Sequence, residues 1–378
     1  MSQNCRLRSA TLLLVTASLL GGSASAAAPP SSASPQVQNP PAGGLPIVHK
    51  PKRPGSLPVV VVVAQDTAVL SDFVVPYGVL AQSGAAKVIA VNMKAGPLKA
   101  GPLTLLPDMT AAEFDRAHPE GADYVIVPAT GNKHKEESAW LRTQHARGAA
   151  LVSTCDGVEL LAEIGALDGR RATGHWASLR DRQKHYPRVT WLTNLRYVAD
   201  GAVASSAGVS ASLPISLALV ETIAGPEVAH ATAARLGVES WGAAHDSDVF
   251  KLRPGDHSVH KANMRFKRND VVALEVRDGE DEVALSLYAE AWSRTMRDEV
   301  SVVSATGGPV RLRGGLRVQT QAASSVKPDV RFALGDSVRA GAALPAAFDA
   351  IARRHGSGTA RLSALAMEYP WGDLEAPQ

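Results

Sequence analysis

An uninterrupted run of β-branched residues opens the globular part of this sequence and limits what the chain can fold into. Val59 to Val63 are five consecutive valines, with Pro58 before them and Ala64 after them. A strand with one face in water alternates apolar and polar residues, whereas a strand in a parallel sheet is buried on both faces and is apolar throughout. The run therefore predicts a central strand of a parallel sheet that is covered by helices on both sides.

Strands and helices alternate after this run. Apolar segments predict further strands at Lys87–Met93, Tyr124–Pro128 and Ala150–Thr154. Helical segments are expected before the first of them at Val69–Ser83, before the last at Ala139–Arg147, and after the last at Val158–Ile164. A regular alternation of this kind is typical of a doubly wound α/β sheet. We therefore predict a doubly wound, mainly parallel α/β sheet for this part of the chain.

The N-terminus has the pattern of a secretory signal peptide. In residues 1–26, Arg6 and Arg8 precede an apolar stretch at Ala10–Leu20, and the small residues Ala24-Ser25-Ala26 form a cleavage pattern. A membrane anchor needs about 20 apolar residues, and this stretch is shorter. We expect cleavage, a periplasmic or secreted protein, and no integral membrane segment in the mature chain.

Composition and a weak repeat divide the remainder of the chain. The proline-rich residues 27–57 predict an extended linker. We predict a first α/β part at 58–240 and a second α/β part at 241–378, which repeats the plan of the first in a smaller, degenerate form. The strands expected in the second part are Val283–Ala289, Val300–Val303 and Val330–Leu334. Chance similarity between two α/β segments is the alternative to a repeat.

Charge and motif content argue against several classes of function. The chain has 39 Lys and Arg against 36 Asp and Glu, with no strongly basic patch, so we expect no nucleic-acid partner. Glycine-rich phosphate loops are absent from the sequence, and we expect no cofactor. His245, Asp246 and Asp248, with His257 and His260, could ligate a metal, but their spacing matches no compact metal motif. We expect a solvated loop there and no metal.

One strand–cysteine–helix segment carries the candidate chemistry. The predicted strand Ala150–Thr154 runs directly into Cys155, and a helix follows after Asp156 and Gly157. Hydrolases place their nucleophile at such an elbow, above the carboxyl edge of the sheet. The N-terminus of the following helix is expected to lower the pKa of the thiol and to offer backbone N–H groups to a developing anion. A buried, inert cysteine is the alternative.

This elbow and two later segments resemble the ThiJ/PfpI family of class I glutamine-amidotransferase-like proteins. The later segments are Leu160–Trp176 and Val203–Ser212, and the resemblance spans residues 58–240. It is strongest to the branch that contains isonitrile hydratases and the N-terminal domains of AraC-type regulators. The resemblance implies a flavodoxin-like sheet with a reactive Cys155 at a strained elbow. It also makes a homodimer possible, because members of the family commonly dimerise.

The resemblance also assigns roles to residues outside the elbow. Asp72, four residues before Pro76, matches the carboxylate that partners the cysteine in the family, and it would hold or move a proton. His175 matches a second candidate base, with a core histidine as an equal alternative. Gly131 lies in the loop that supplies an oxyanion N–H in relatives, and Gly157 is a further candidate for binding through the backbone.

Asp156 departs from the family pattern. The residue after the cysteine is often His in peptidase-like members and Ala or Thr in others. A carboxylate at this position opposes formation of a thiolate, although it could instead cap the helix N-terminus. Asp156 therefore argues against a Cys-His peptidase.

Together these features predict an exported, cysteine-dependent hydrolase or hydratase of a small electrophilic molecule. Cys155 would add to a carbon centre, backbone N–H groups would stabilise the developing anion, and Asp72 would transfer the proton. The alternative is a non-catalytic protein that binds or senses a small ligand in the same crevice.

The signal-peptide interpretation predicts the first residue of the mature protein. Because small residues occupy positions 24 and 26, cleavage should leave a chain that begins near Ala27. N-terminal sequencing of protein isolated from the cell envelope measures this directly. Cytosolic protein that retains Met1 would contradict the interpretation.

Overall fold

The structure is a computed structural model, and it describes residues 45–47, 52–131, 135–265 and 269–372, apart from the side chain of Asp336. The expected signal peptide at 1–26 lies outside these residues, as does most of the expected linker. Among the helices of the described ranges, none is both long and apolar enough to cross a membrane.

Strands and helices alternate throughout the described residues. The strands are β1 (Val59–Ala64), β2 (Lys87–Asn92), β3 (Leu98–Ala100), β4 (Leu103–Leu106), β5 (Met109–Thr110), β6 (Tyr124–Val127), β7 (Ala150–Ser153), β8 (Arg171–Ala172), β9 (Thr190–Trp191), β10 (Tyr197–Asp200), β11 (Val203–Ser206), β12 (Asp270–Glu275), β13 (Asp298–Ser304), β14 (Gly308–Arg311), β15 (Arg317–Ala322) and β16 (Val330–Ala333). The helices are α1 (Leu70–Ser83), α2 (Ala111–Ala117), α3 (Lys135–Ala146), α4 (Val158–Glu163), α5 (Leu179–His185), α6 (Ser212–Ala224), α7 (Pro226–Leu236), α8 (Asp256–Met264), α9 (Glu282–Ser293), α10 (Ala340–His355) and α11 (Ser357–Ala366).

The first sheet has the order β10-β11-β7-β6-β1-β2-β5 and is parallel except for the β10–β11 pair. The valine run forms β1, which is fully buried near the middle of the sheet. The chain passes from β1 to β2 on one side and later returns to β6 on the other. Such a reversal opens a crevice at the carboxyl ends of the strands, where ligands of α/β proteins bind. The predicted doubly wound α/β fold is confirmed.

The second sheet has the order β16-β12-β13-β15-β4-β3, with β14 paired to β15. The second part of the chain is thus also α/β, and the strands expected near 300 and 330 are β13 and β16. Strands β3 and β4 come from the first part of the chain, and β4 pairs antiparallel with β15. The second sheet therefore contains strands from both parts.

The strand expected at Val283–Ala289 is wrong, because these residues lie in α9. Asp281 caps this helix, its side chain accepting hydrogen bonds from the N–H groups of Val283 and Ala284. The helix is buried on all sides between Glu282 and Trp292. A short apolar run that is buried all round has no polar face, so its sequence reads equally well as a buried strand. The first strand of the second part is instead β12.

The order of elements supports the predicted repeat. The first part contains β1, α1, β2 and the β3–β4 hairpin, and the second contains β12, α9, β13 and the β14–β15 hairpin. The helix pair α6–α7 likewise matches α10–α11. Helices α1 and α9 pack closely, since a Cβ atom at Gly78 would lie 2.7 Å from side-chain carbons of Glu282 and Val283. The boundary at residue 240 stays a prediction.

Candidate active site at the cysteine elbow

Cys155 occupies a strained turn between β7 and α4. Its φ angle of 52° lies in the left-handed region, which costs a residue with a side chain about 1–3 kcal/mol. The Cys155 N–H donates to the carbonyl of Ala207, which follows β11, and this bond fixes the turn to the neighbouring strand. The side chain is 6% exposed. The predicted elbow is therefore present, with its sulfur largely shielded from water.

Gly157 lets the elbow lie against the end of β6. A Cβ atom at this position would lie 2.2 Å from the carbonyl oxygen of Val127 and 2.8 Å from the carbonyl carbon of Pro128. Its N–H donates to the Thr154 carbonyl at 2.9 Å. Gly157 thus serves close packing, and its N–H is engaged within the turn.

Asp72 is fully buried in the first turn of α1. Its carboxyl oxygens accept hydrogen bonds from the backbone N–H of Ala129 at 3.3 Å and from the hydroxyl of Ser212 at 3.2 Å. Pro76 cannot donate the helical hydrogen bond to the Asp72 carbonyl. The hydroxyl of Thr154 donates to that carbonyl instead, at 3.2 Å. Pro76 thus leaves the Asp72 carbonyl available as an acceptor, and the hydrogen bond from Thr154 joins α1 to the residue before Cys155.

Burial disfavours the charged forms of both Cys155 and Asp72. Removal from water raises the pKa of the Cys155 thiol well above its ordinary value, and the charges of Asp72, Asp156 and Glu368 raise it further. The expected hydrogen bond from the elbow backbone exists, from the Asp156 N–H, but lowers the pKa by less. Burial, followed by the charge of Glu290, also raises the pKa of Asp72 well above its ordinary value. The expected net lowering of the thiol pKa is therefore wrong.

Asp156 joins the elbow to the segment that follows it. Its carboxylate forms an ion pair with Arg182 at 2.9 Å and accepts hydrogen bonds from the Ser178 hydroxyl. Arg182 is 1% exposed, and it also donates to the carbonyl of His175 at 2.8 Å. Asp156 thus orders residues 175–182 through these partners, and among the described residues no side-chain hydrogen bond caps α4 at its N-cap residue Gly157.

His175 lies beside the elbow with a ring nitrogen that has no partner. The side chain is buried, and Nδ1 accepts a hydrogen bond from the Ala177 N–H at 3.4 Å. That bond assigns the proton to Nε2, which is buried and has no hydrogen-bond partner among the described residues. The ring packs on Gly208, where a Cβ atom would lie 2.8 Å from Cδ2. An unpaired buried donor is costly, so its presence favours a ligand group at this position.

The backbone N–H of Gly131, which was expected to bind an oxyanion, is engaged by another residue in this structure. Its N–H donates to the carbonyl and to the hydroxyl of Thr67, both at 3.3 Å. The expected role would require Gly131 to leave Thr67. The neighbouring Ala129 N–H is engaged by Asp72.

Glu368, from the second part of the chain, anchors the loops around the cysteine. It is 1% exposed and has a φ angle of 54°. Its carboxylate accepts hydrogen bonds from the N–H groups of Gly208 at 2.8 Å and Trp176 at 3.1 Å, and pairs with His245 at 2.9 Å. The expectation of a solvated loop is therefore wrong for His245, whose side chain is 7% exposed.

Glu290 and Arg294, at the end of α9, complete the surroundings of Asp72. The Ser71 N–H donates to Glu290 Oε2 at 2.7 Å, and Arg294 Nη2 donates to Glu290 Oε1 at 2.6 Å. Sequence reasoning missed Glu290, Arg294 and Glu368, because no local motif marks residues that reach the site only through the packing of the second part.

Among the described residues, a cluster of side chains that could ligate a metal ion lies away from the cysteine elbow. Asp270, Asp298 and His355 place one ligand atom each within 4.8 Å of one another. Asp298 is already paired with His355, and Asp270 with Arg354. These residues could hold a metal only in competition with the arginine.

The raised pKa of Cys155 predicts how the rate of its alkylation depends on pH. Because the thiol is neutral near pH 7, alkylation by iodoacetamide should be slow there and should rise at a pH above that of an ordinary thiol. At the alkaline pH at which the thiol ionises, a charge on Asp72 opposes the thiolate, so Asp72→Asn should shift the profile to lower pH. Asp156→Asn should shift it less. Mass analysis of the Cys155 peptide gives both profiles. A midpoint below about 8.5 in the unaltered protein would contradict the assignment.

Comparison with known proteins agrees with the resemblance found in the sequence. Residues 58–222 match the model of the DJ-1/PfpI family. The HTH-type transcriptional regulator CdhR of Pseudomonas aeruginosa is 39% identical over 90 residues, which are 24% of this chain and 26% of that protein. The match thus spans about a quarter of that relative's length.

The chain is also similar to solved structures at low sequence identity. A THiJ/PfpI family protein from Pseudomonas syringae is 22% identical, with a TM-score of 0.43 over 49% of this chain and 76% of that chain. DJ-1beta from Drosophila melanogaster is 21% identical, with a TM-score of 0.44 over 49% of this chain and 100% of that chain. From the family match over residues 58–222, this part of the chain is a DJ-1/PfpI family domain.

Proposed function

We propose that the protein is a cysteine-dependent enzyme that hydrates or hydrolyses a small electrophilic molecule at Cys155. The observation that carries this proposal is the strained φ angle of Cys155, 52°, directly beside a network that holds the buried Asp72. A cysteine that only fills the core gains nothing from such a turn. Strain of this kind is retained mainly at functional sites.

The neutral state of both groups suits addition to a polarised carbon–heteroatom bond. As Cys155 Sγ forms a bond to the carbon, the protonated Asp72 gives its proton to the heteroatom. The proton of the thiol then passes to the Asp72 carboxylate, so the acid is restored. Water subsequently replaces sulfur on the carbon and returns a proton to the thiol. The sum of the two steps is the addition of water to the substrate.

Two donors beside the elbow could stabilise charge during this reaction. The Asp156 N–H already bonds to the sulfur of Cys155. The unpartnered Nε2 of His175 is a second donor, and we assign it to the substrate heteroatom. His175 would thus act as a hydrogen-bond donor, and the proton transfer stays with Asp72.

A non-catalytic role in binding or sensing a small ligand is the second candidate. Two observations favour it: the Cys155 side chain is 6% exposed, and its pKa is raised. A thiol of this kind reacts slowly until a bound ligand changes its surroundings. The name of the relative, a transcriptional regulator, fits a sensing role.

We also propose a cellular location and partners for the protein. The pattern of residues 1–26 supports export to the periplasm or beyond. A small-molecule ligand follows from the proposed chemistry, and a homodimer from the family resemblance.

Three substitutions distinguish a catalytic function of the protein from a function in ligand binding. Cys155→Ser should abolish turnover of small nitriles, isonitriles and dicarbonyl compounds without loss of folding, because the volume scarcely changes. Asp72→Asn keeps the shape but cannot transfer a proton, and should reduce the rate by about 10²–10⁴. Asp156→Asn, the matched control, keeps acceptors for Ser178 and Arg182 and should cost less.

Steady-state rates over this panel, with ligand affinity measured in parallel, decide the question. Equal losses in the two Asp→Asn variants would show that Asp72 is the wrong acid. Unchanged ligand affinity in Cys155→Ser, with no substrate turned over by the unaltered protein, would favour the binding protein.

A further inference from the structure

We propose that Arg294, which the second part of the chain places beside the cysteine site, binds a carboxylate group of the substrate. This inference rests on the proposed function, because it names the substrate class of the same site. The substrate would then be a small electrophile that carries a carboxylate near its reactive carbon.

The packing of α9 on α1 brings Arg294 to this position. The two helices are antiparallel: Gly78, in the second half of α1, contacts Glu282 at the start of α9, and Ser71 bonds to Glu290 near its end. Arg294 follows the last residue of α9, so it lies at the first turn of α1. That turn also carries Asp72.

A buried carboxylate fixes the orientation of the guanidinium group. Glu290 is 2% exposed, and its Oε2 accepts the Ser71 N–H at 2.7 Å. Its Oε1 accepts hydrogen bonds from Nη2 of Arg294 at 2.6 Å and from Nε at 3.2 Å. One edge of the guanidinium group is therefore held by a residue that is itself anchored to α1.

The other edge of the guanidinium group is free to bind a ligand. Arg294 carries five N–H donors, and among the described residues it donates only to Glu290, through Nε and Nη2. The remaining edge, formed by Nη1 and the second hydrogen of Nη2, matches the two oxygens of a carboxylate. The side chain is 28% accessible to water, so part of it can be reached from solvent.

The charge distribution around the site favours an anion at this edge. The positive charge of Arg294 interacts with both Cys155 and Asp72, which are therefore its neighbours. Burial disfavours the charged forms of those two groups, and the buried carboxylate of Glu290 pairs with Arg294 at 2.6 Å. A substrate carboxylate would supply the second acceptor next to the sulfur.

A purely structural role for Arg294 is the competing explanation. In that case the arginine only neutralises the buried Glu290, and the charge of an incoming reagent is irrelevant to its reaction with Cys155. Two reagents of nearly the same shape test this difference: iodoacetate carries a carboxylate, and iodoacetamide carries a neutral amide. With either reagent a bond forms between Sγ and carbon, iodide leaves, and the thiol proton passes to solvent.

The experiment measures the alkylation rate of Cys155 with both reagents in the full-length protein. The ratio of the iodoacetate rate to the iodoacetamide rate, followed on the Cys155 peptide by mass, is compared between variants at one pH. Arg294→Gln should lower this ratio about tenfold, the worth of a charge-assisted hydrogen bond. Arg294→Lys keeps the charge and should retain part of the preference. Glu290→Gln keeps the guanidinium group together with one oxygen that can accept its hydrogen bonds, and should retain the preference.

The ratio of the two alkylation rates also distinguishes loss of a carboxylate contact from damage to the fold. Loosening of α1 would change the iodoacetate and iodoacetamide rates together. An equal ratio in the unaltered protein and in Arg294→Gln would overturn the inference and leave the proposed function standing. If neither reagent labels Cys155 up to about pH 10, where an ordinary thiol is ionised, both the proposed function and this inference fail.

Discussion

The burial of helix α1 is the constraint on which the rest of the structure depends. All residues from Leu70 to Leu80 are buried, because the first sheet covers one side of the helix while α6 and α9 cover others. The helix carries Asp72, so a carboxyl group is forced into the interior. Hydrogen bonds from Ala129 and Ser212 make this burial tolerable, and loss of water raises the pKa of the Asp72 carboxyl group well above its ordinary value.

The second part of the chain supplies much of the surroundings of the site. Glu290 binds the start of α1, and Glu368 binds the loops at Gly208 and Trp176, which lie beside Cys155. Each of these carboxylates is buried and has a basic partner, Arg294 or His245. Both α/β parts of the chain therefore contribute side chains to the surroundings of Cys155.

The parts of the structure that can be predicted from the sequence are those marked by a pattern of neighbouring residues. The valine run predicts a central strand, because β-branched residues favour strands and an apolar run without alternation is typical of a strand buried on both faces. The elbow follows from a strand that meets a helix at Cys155. The sequence of α9 predicts a strand, because a helix that is buried all round has the same apolar composition as a buried strand. Glu290 lies 219 residues from its partner Ser71, so no spacing in the sequence could reveal the contact. The high pKa of Cys155 depends on burial, which only the packed structure shows.

The dependence of the site on both parts of the chain can be measured on a fragment of residues 58–240. One cluster of buried apolar side chains includes Phe73 and Leu217 from the first part and Trp292 and Phe348 from the second, so truncation would expose much of it. We expect the fragment to lack a cooperative thermal transition, or to fold with a Cys155 that iodoacetamide alkylates at pH 7 as fast as a free thiol. A cooperative transition together with the slow alkylation of the full-length protein would contradict a site that is built by both parts.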